Sequence, residues 1–121
     1  MRVLRVEGQD AKALCEEHDA VAIRPDAVGS IEEIELAMHL AADAFQRGTN
    51  IAKRMKYEFL LWLSGTRDIK NALRRTAPEG KEFLLIAFSD KRIEVPHERH
   101  GLREKADPLS LERISLSRIT G

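Results

Sequence analysis

The sequence predicts a mixed α/β (α+β) fold: a single domain with helices packed on a roughly four-stranded mixed or antiparallel sheet. Three observations carry this expectation. Short apolar runs of strand length occur at 2–6, 21–23, 59–63 and 83–88. Between them lie segments whose apolar residues recur at three- and four-residue steps, the spacing of a helix face. A length of 121 residues with 43% apolar side chains suits one compact core.

Taken in order, Arg2-Val-Leu-Arg-Val reads as a strand ended by Gly8. Asp10 is placed to N-cap a helix with Ala11, Leu14 and Cys15 on one face. Val21-Ala-Ile is a short strand stopped by Pro25. Ser30 with Glu33 forms a capping box. Behind it Ile31, Ile34, Ala37, Met38, Ala41, Ala42 and Phe45 hold one helical face over roughly 31–47, closed by Gly48. Acids crowd the first turn of that helix, where the macrodipole favours them.

The run from Thr49 to Met55 reads as a short helix capped by Thr49 or Asn50. Phe59-Leu-Leu-Trp-Leu, preceded by Tyr57, is continuously apolar, and a central strand covered on both faces is expected. Ser64-Gly65 breaks it. Thr66 then caps a helix with Ile69, Ala72 and Leu73 on one face, ended near Pro78-Glu-Gly80. Phe83–Phe88 is a further apolar strand, with another open at 92–95. The stretch after Pro108, with Leu109, Leu111, Ile114, Leu116 and Ile119, is partly helical in pattern.

Composition narrows the function classes. Lys+Arg and Asp+Glu are 20 each, so bulk positive charge does not drive nucleic-acid binding. One cysteine, Cys15, excludes an internal disulfide framework and a Cys-rich zinc site. No apolar run reaches membrane-spanning length, and the N-terminus lacks a secretory pattern. A cytoplasmic protein without membrane contact is expected.

The charge is balanced in sum but not in place. Residues 7–45 carry ten acids against two bases, whereas 46–81 carry nine bases against three acids. Acidic and basic helices lying side by side would account for this. So would a cationic face offered to a polyanion. The second reading centres on Ser64-Gly-Thr-Arg-Asp-Ile-Lys, where an apolar run gives way to a helix. Gly65 permits close backbone approach. Arg67 in a first turn opposes the macrodipole and invites an anion. Lys70 and Arg74 follow on the same side at steps of three and four. Lys53, Arg54 and Lys56 precede the run and extend the patch. A connector with solvated bases is the plainer alternative.

Chemistry-bearing motifs are scarce. There is no phosphate loop, dinucleotide fingerprint or nucleophile elbow. His97 and His100 have a metal-compatible spacing but no evident third and fourth ligand, so no metal site and no cofactor is expected. Cys15 sits beside Glu16 and Glu17, which oppose thiolate formation, so a structural role on its helix is favoured. No acid–base pair supports a mechanism, and a protein that is not an enzyme is expected.

The run Thr49-Asn-Ile-Ala through Ser64-Gly-Thr-Arg-Asp-Ile-Lys-Asn-Ala-Leu resembles the signature of the small kinase-binding subunit of the KEOPS complex, also called the PRPK-binding protein family. Asn50-Ile51-Ala52 and Ser64-Gly65-Thr66-Arg67-Asp68-Ile69 carry the likeness, with Asp68 where Gln is commoner. The resemblance covers residues 30–75, including the long helix ending at Ala44-Phe45, and extends to the tail Leu111-Glu-Arg-Ile-Ser-Leu. It implies a non-catalytic subunit in threonylcarbamoyladenosine modification of tRNA. Such a subunit binds and stimulates the complex's atypical protein kinase/ATPase and helps recruit tRNA through its 3′ acceptor end. It further implies RNA contacts from Lys53, Arg54, Gly65, Arg67, Ile69, Lys70 and Arg74, and kinase contacts from Ile114, Leu116 and Ile119. Asp68 adds a negative charge that would reduce or rearrange the RNA contact. Ile114→Arg is expected to weaken kinase binding without unfolding the domain.

Two other classes stand beside this one. A stand-alone single-stranded RNA-binding module would use the basic 46–81 segment without a kinase. A small enzyme would use Cys15 or the His97/His100 pair.

Overall fold

The computed structural model describes residues 2–88 and 105–120, with the backbone alone at 2 and at 117–120. The expected strand at 92–95 and the His97/His100 pair lie outside the described residues, as does the side chain of Ile119. The fold is mixed α+β, with five α-helices and a three-stranded antiparallel sheet among the described residues. The chain divides into two compact units, Met1–Ala27 with Thr76–Gly101 and Val28–Arg75 with Leu102–Gly121.

The first unit contains the sheet. Strands β1 (Arg2–Glu7), β2 (Ala20–Ile23) and β3 (Glu82–Ala87) lie in the order β1-β3-β2. The register pairs Leu4 and Ala22 with Leu85, Val6 with Phe83, and Ala20 with Ala87. These residues share one face because side chains alternate along a strand. Leu4, Val6, Ala20, Phe83, Leu85 and Ala87 form its buried cluster. Helix α1 (Ala11–His18) covers it with Ala11, Leu14 and Cys15, the three residues its periodicity singles out. Asp10 caps α1 by accepting from the backbone N–H groups of Lys12 and Ala13. As the central strand, β3 is buried from Phe83 to Ala87. A 3-10 turn at Pro25–Ala27 follows β2.

The second unit is helical. Helix α2 (Ile31–Arg47) has the predicted bounds and caps. Ser30 Oγ accepts from Glu33 N–H, while Glu33 Oε2 accepts from Ser30 Oγ–H and Gly29 N–H. Gly48 ends the helix in the left-handed region at φ 72°. Ile34, Ala37, Ala41 and Ala44 are buried along one stripe. Helices α3 (Met55–Ser64) and α5 (Pro108–Thr120) pack on α2 and on each other. Helix α4 (Ile69–Thr76) follows α3.

Two expectations are corrected here. Phe59–Leu63 is not a strand but the body of α3, which is why the sheet has three strands among the described residues rather than four. Residues 55–64 contain no β-branched side chain and are rich in Leu, Met, Lys and Glu, all good helix formers. Because Phe59, Leu60, Leu61 and Leu63 are all buried, apolar residues surround the helix and hide its period. The predicted helix at 49–55 is instead an irregular segment leading into α3, tied back by Thr49 N–H to the Ala44 carbonyl and by Asn50 Nδ2–H to the Ala52 carbonyl.

Candidate nucleic-acid interface

The candidate site runs from the 50–54 segment through α3 to α4, all within the second unit up to Arg75. Lys53 and Arg54 are exposed just before α3. Arg54 occupies the N-cap position of α3 and supplies no side-chain cap. Beneath them lies Glu58, with 0% of its surface exposed. Its Oε1 accepts from the N–H groups of Ile51 and Ala52, both at 2.9 Å, and its Oε2 accepts from Trp62 Nε1–H at 3.2 Å. A buried carboxylate needs donors of this kind to offset its lost hydration.

Lys56 does not extend the patch, since it is buried, with Nζ 5.4 Å from the centre of the Tyr57 ring. At the far end of α3, Gly65 adopts φ 72° as the left-handed C-cap. Its N–H bonds back to the Leu61 and Trp62 carbonyls, and Thr66 N–H reaches the Leu61 carbonyl. Helix termination therefore explains the Ser64-Gly65 step on its own.

Arg67 lies before α4 rather than in its first turn, and the dipole argument is corrected accordingly. The residue facing the helix start is Asp68, whose Oδ1 accepts from Lys70 N–H and whose carbonyl accepts from Ala72 N–H. Thr66 Oγ1 accepts from Asp68 N–H one step earlier. Asp68 thus caps α4, a stabilising position for a negative charge.

Arg67, Ile69, Lys70, Leu73 and Arg74 are all exposed. Only Ala72 of the predicted apolar face is buried, and Ile69 and Leu73 stand at the surface beside the cations. Arg74 bonds Asn71 Oδ1, and Arg75 donates to the Ser64 carbonyl, bracing α4 against the end of α3. The structure so gathers Arg67, Ile69, Lys70 and Arg74 at the α3–α4 junction. Lys53 and Arg54 sit at the other end of α3, about 15 Å away for ten residues.

The tail residues separate by burial. Ile114 is 0% exposed and belongs to the core of the second unit, where α5 meets α2 and α3. An arginine there would bury an unpaired charge, so the expectation that Ile114→Arg spares the fold is corrected. Leu116 is 39% exposed, and Leu109, which the sequence reading did not single out for contact, is 71% exposed. A seven-residue step puts Leu109 and Leu116 on one side of α5, turned away from Ile114.

Among the described residues no group of three or more His, Cys, Asp or Glu side chains is arranged to hold a metal ion. No described helix is long and apolar enough to cross a membrane. Cys15 is half-buried on α1, in the packing of the first unit. Sequence reasoning missed Glu58. The signal for it was the four-residue step to Trp62, which places a carboxylate and an indole side by side on a helix.

No family model matches the chain. It is 42% identical over 57 residues to the KEOPS complex subunit Cgi121 of Pyrococcus abyssi (strain GE5 / Orsay), a match covering 47% of this chain. The same match covers 33% of that relative's own length. The family resemblance read from the sequence is thereby borne out: over about half of its length, the chain is similar in sequence to the Cgi121 subunit of the KEOPS complex.

Proposed function

We propose that the chain serves as a small, non-catalytic KEOPS subunit in tRNA modification, with residues 1–121 acting as one KEOPS small-subunit-like domain. On this reading it binds and stimulates an atypical protein kinase/ATPase. It also helps recruit tRNA through the 3′ acceptor end for threonylcarbamoyladenosine formation in the cytoplasm. The observation that carries the reading is the 42% identity to Cgi121 over 57 residues. The exposed cations of the 53–74 stretch support its RNA half.

Lys53, Arg54, Arg67, Lys70 and Arg74 supply charge for phosphates, and Gly65 keeps the junction backbone accessible. Ile69 offers an apolar contact beside them. Leu116, with Ile119 and Ile114 on the same helix, marks α5 as the side that meets the kinase. Ile114 acts there by holding α5 in place.

The test is co-expression with the KEOPS atypical kinase/ATPase, followed by co-elution on a sizing column and tRNA binding at several salt concentrations. A stable complex and a tRNA affinity that falls steeply with salt are expected. Failure to co-elute, with salt-dependent binding of single-stranded RNA by the chain alone, would favour a stand-alone RNA-binding module. The exposed Ile69 and Leu73 among cations are the observation on which that second reading rests.

A further inference from the structure

We infer that Glu58 is the positioning residue that holds the Lys53–Arg54 segment in place and links it to the far end of α3, so that the two clusters of cations contact one RNA strand at a fixed separation. The inference rests on the RNA reading above and adds a role that the exposed cations do not themselves fill.

Glu58 lies in the first turn of α3, where the macrodipole favours a negative charge, but it is not the N-cap: its own N–H bonds to the Arg54 carbonyl, and its oxygens accept from Ile51, Ala52 and Trp62. Its two oxygens divide their work. Oε1 takes both consecutive N–H groups of Ile51 and Ala52, immediately before Lys53 and Arg54. Oε2 takes the indole N–H of Trp62, in the last turn before Gly65 and Arg67. One rigid side chain therefore spans from the segment bearing the first pair of bases to the turn that precedes the second group. The 50–54 segment has no helix or strand of its own to fix it. Its anchors include this carboxylate, the Asn50 to Ala52 turn and the Arg54 carbonyl, which accepts from Tyr57 N–H and Glu58 N–H. Two cationic groups held at a constant distance bind a charged strand better than the same groups on a mobile loop, because the ordering entropy is met on folding rather than on binding.

Trp62 is the chain's one tryptophan, so its emission reports on the Oε2 arm directly. Glu58→Met keeps the length of the side chain and removes both arms, leaving the Ile51 and Ala52 N–H groups without this acceptor.

The decisive experiment is a double-mutant cycle on the full chain, with a short single-stranded RNA as probe and the salt slope of binding as readout. In the wild-type background, Lys53→Gln and Lys70→Gln should each lower the slope by about 1. In the Glu58→Met background, Trp62 emission should shift and Lys53→Gln should change the slope little, while Lys70→Gln keeps its full effect. Equal effects of Lys53→Gln in both backgrounds would overturn the inference while leaving the RNA reading intact. Absence of RNA binding by the wild type would overturn both. Should Glu58→Met fail to fold, hydrogen exchange in the wild type decides: Ile51 and Ala52 amides as protected as those inside α3 support the anchor, and amides exchanging at exposed-loop rates refute it.

Discussion

Replacing Ile114 with alanine removes a side chain that has no exposed surface and fills the meeting place of α5 with α2 and α3. Truncating a fully buried isoleucine to alanine costs about 2–5 kcal/mol, with the upper part reached where the surroundings cannot collapse into the cavity. The neighbours here are helices already fixed by caps at Ser30, Gly48 and Gly65, so collapse is restricted and a loss of about 3 kcal/mol is expected. For a stability of about 5–15 kcal/mol, that is a large share. In urea unfolding followed by far-UV circular dichroism, a loss of about 3 kcal/mol moves the midpoint down by about 1–3 M. Leu109→Ala is the control. With 71% of its surface exposed, Leu109 should change stability by no more than about 0.5 kcal/mol. A loss below about 1 kcal/mol for Ile114→Ala would refute the placement of α5 against α2 and α3.

Other consequences follow from single contacts. Gly65→Ala forces a Cβ into the left-handed region at φ 72° and should lower stability by about 1–2 kcal/mol by thermal unfolding, whereas an unchanged Tm would deny the C-cap. Asp68→Asn keeps an oxygen for Lys70 N–H while removing a negative charge beside Arg67 and Lys70. Stability should hold and affinity for single-stranded RNA should rise, most at low salt, and a fall in affinity would contradict the cationic reading. Ser30→Ala removes one half of a buried capping box, leaving Glu33 N–H without its cap and Glu33 Oε2 with Gly29 N–H alone, with an expected loss of about 1–2 kcal/mol in urea unfolding; a neutral result would mean that α2 does not depend on this cap.

The sequence made the fold legible wherever local chemistry sufficed. Asp10, Ser30 with Glu33, and Gly48 announce helix ends because capping depends on residues three or four positions apart. The apolar runs at Val21 and Phe83 announce strands because β-branched and aromatic side chains favour them. Phe59–Leu63 misled because a helix buried on nearly every side carries no amphipathic period. Its Leu-rich composition and the following Gly65 were the better guides. At the candidate site, Lys53, Arg54, Arg67, Lys70 and Arg74 were legible as bases in one segment. That α3 parts them into two groups was not, because it depends on the helix. Glu58 offered only its four-residue step to Trp62 as a signal, since an isolated Glu is ordinarily solvated and its other donors, Ile51 and Ala52 N–H, come from backbone that pattern does not reveal.

The most direct test of the central claim, that this chain lends cationic surface to a tRNA end rather than performing chemistry, is binding of the chain to the same tRNA with and without its single-stranded 3′ terminus. The account predicts that trimming the terminus weakens binding at least tenfold, and that Arg67→Gln with Lys70→Gln erases the difference between intact and trimmed tRNA. Equal affinity for the two tRNAs would contradict it.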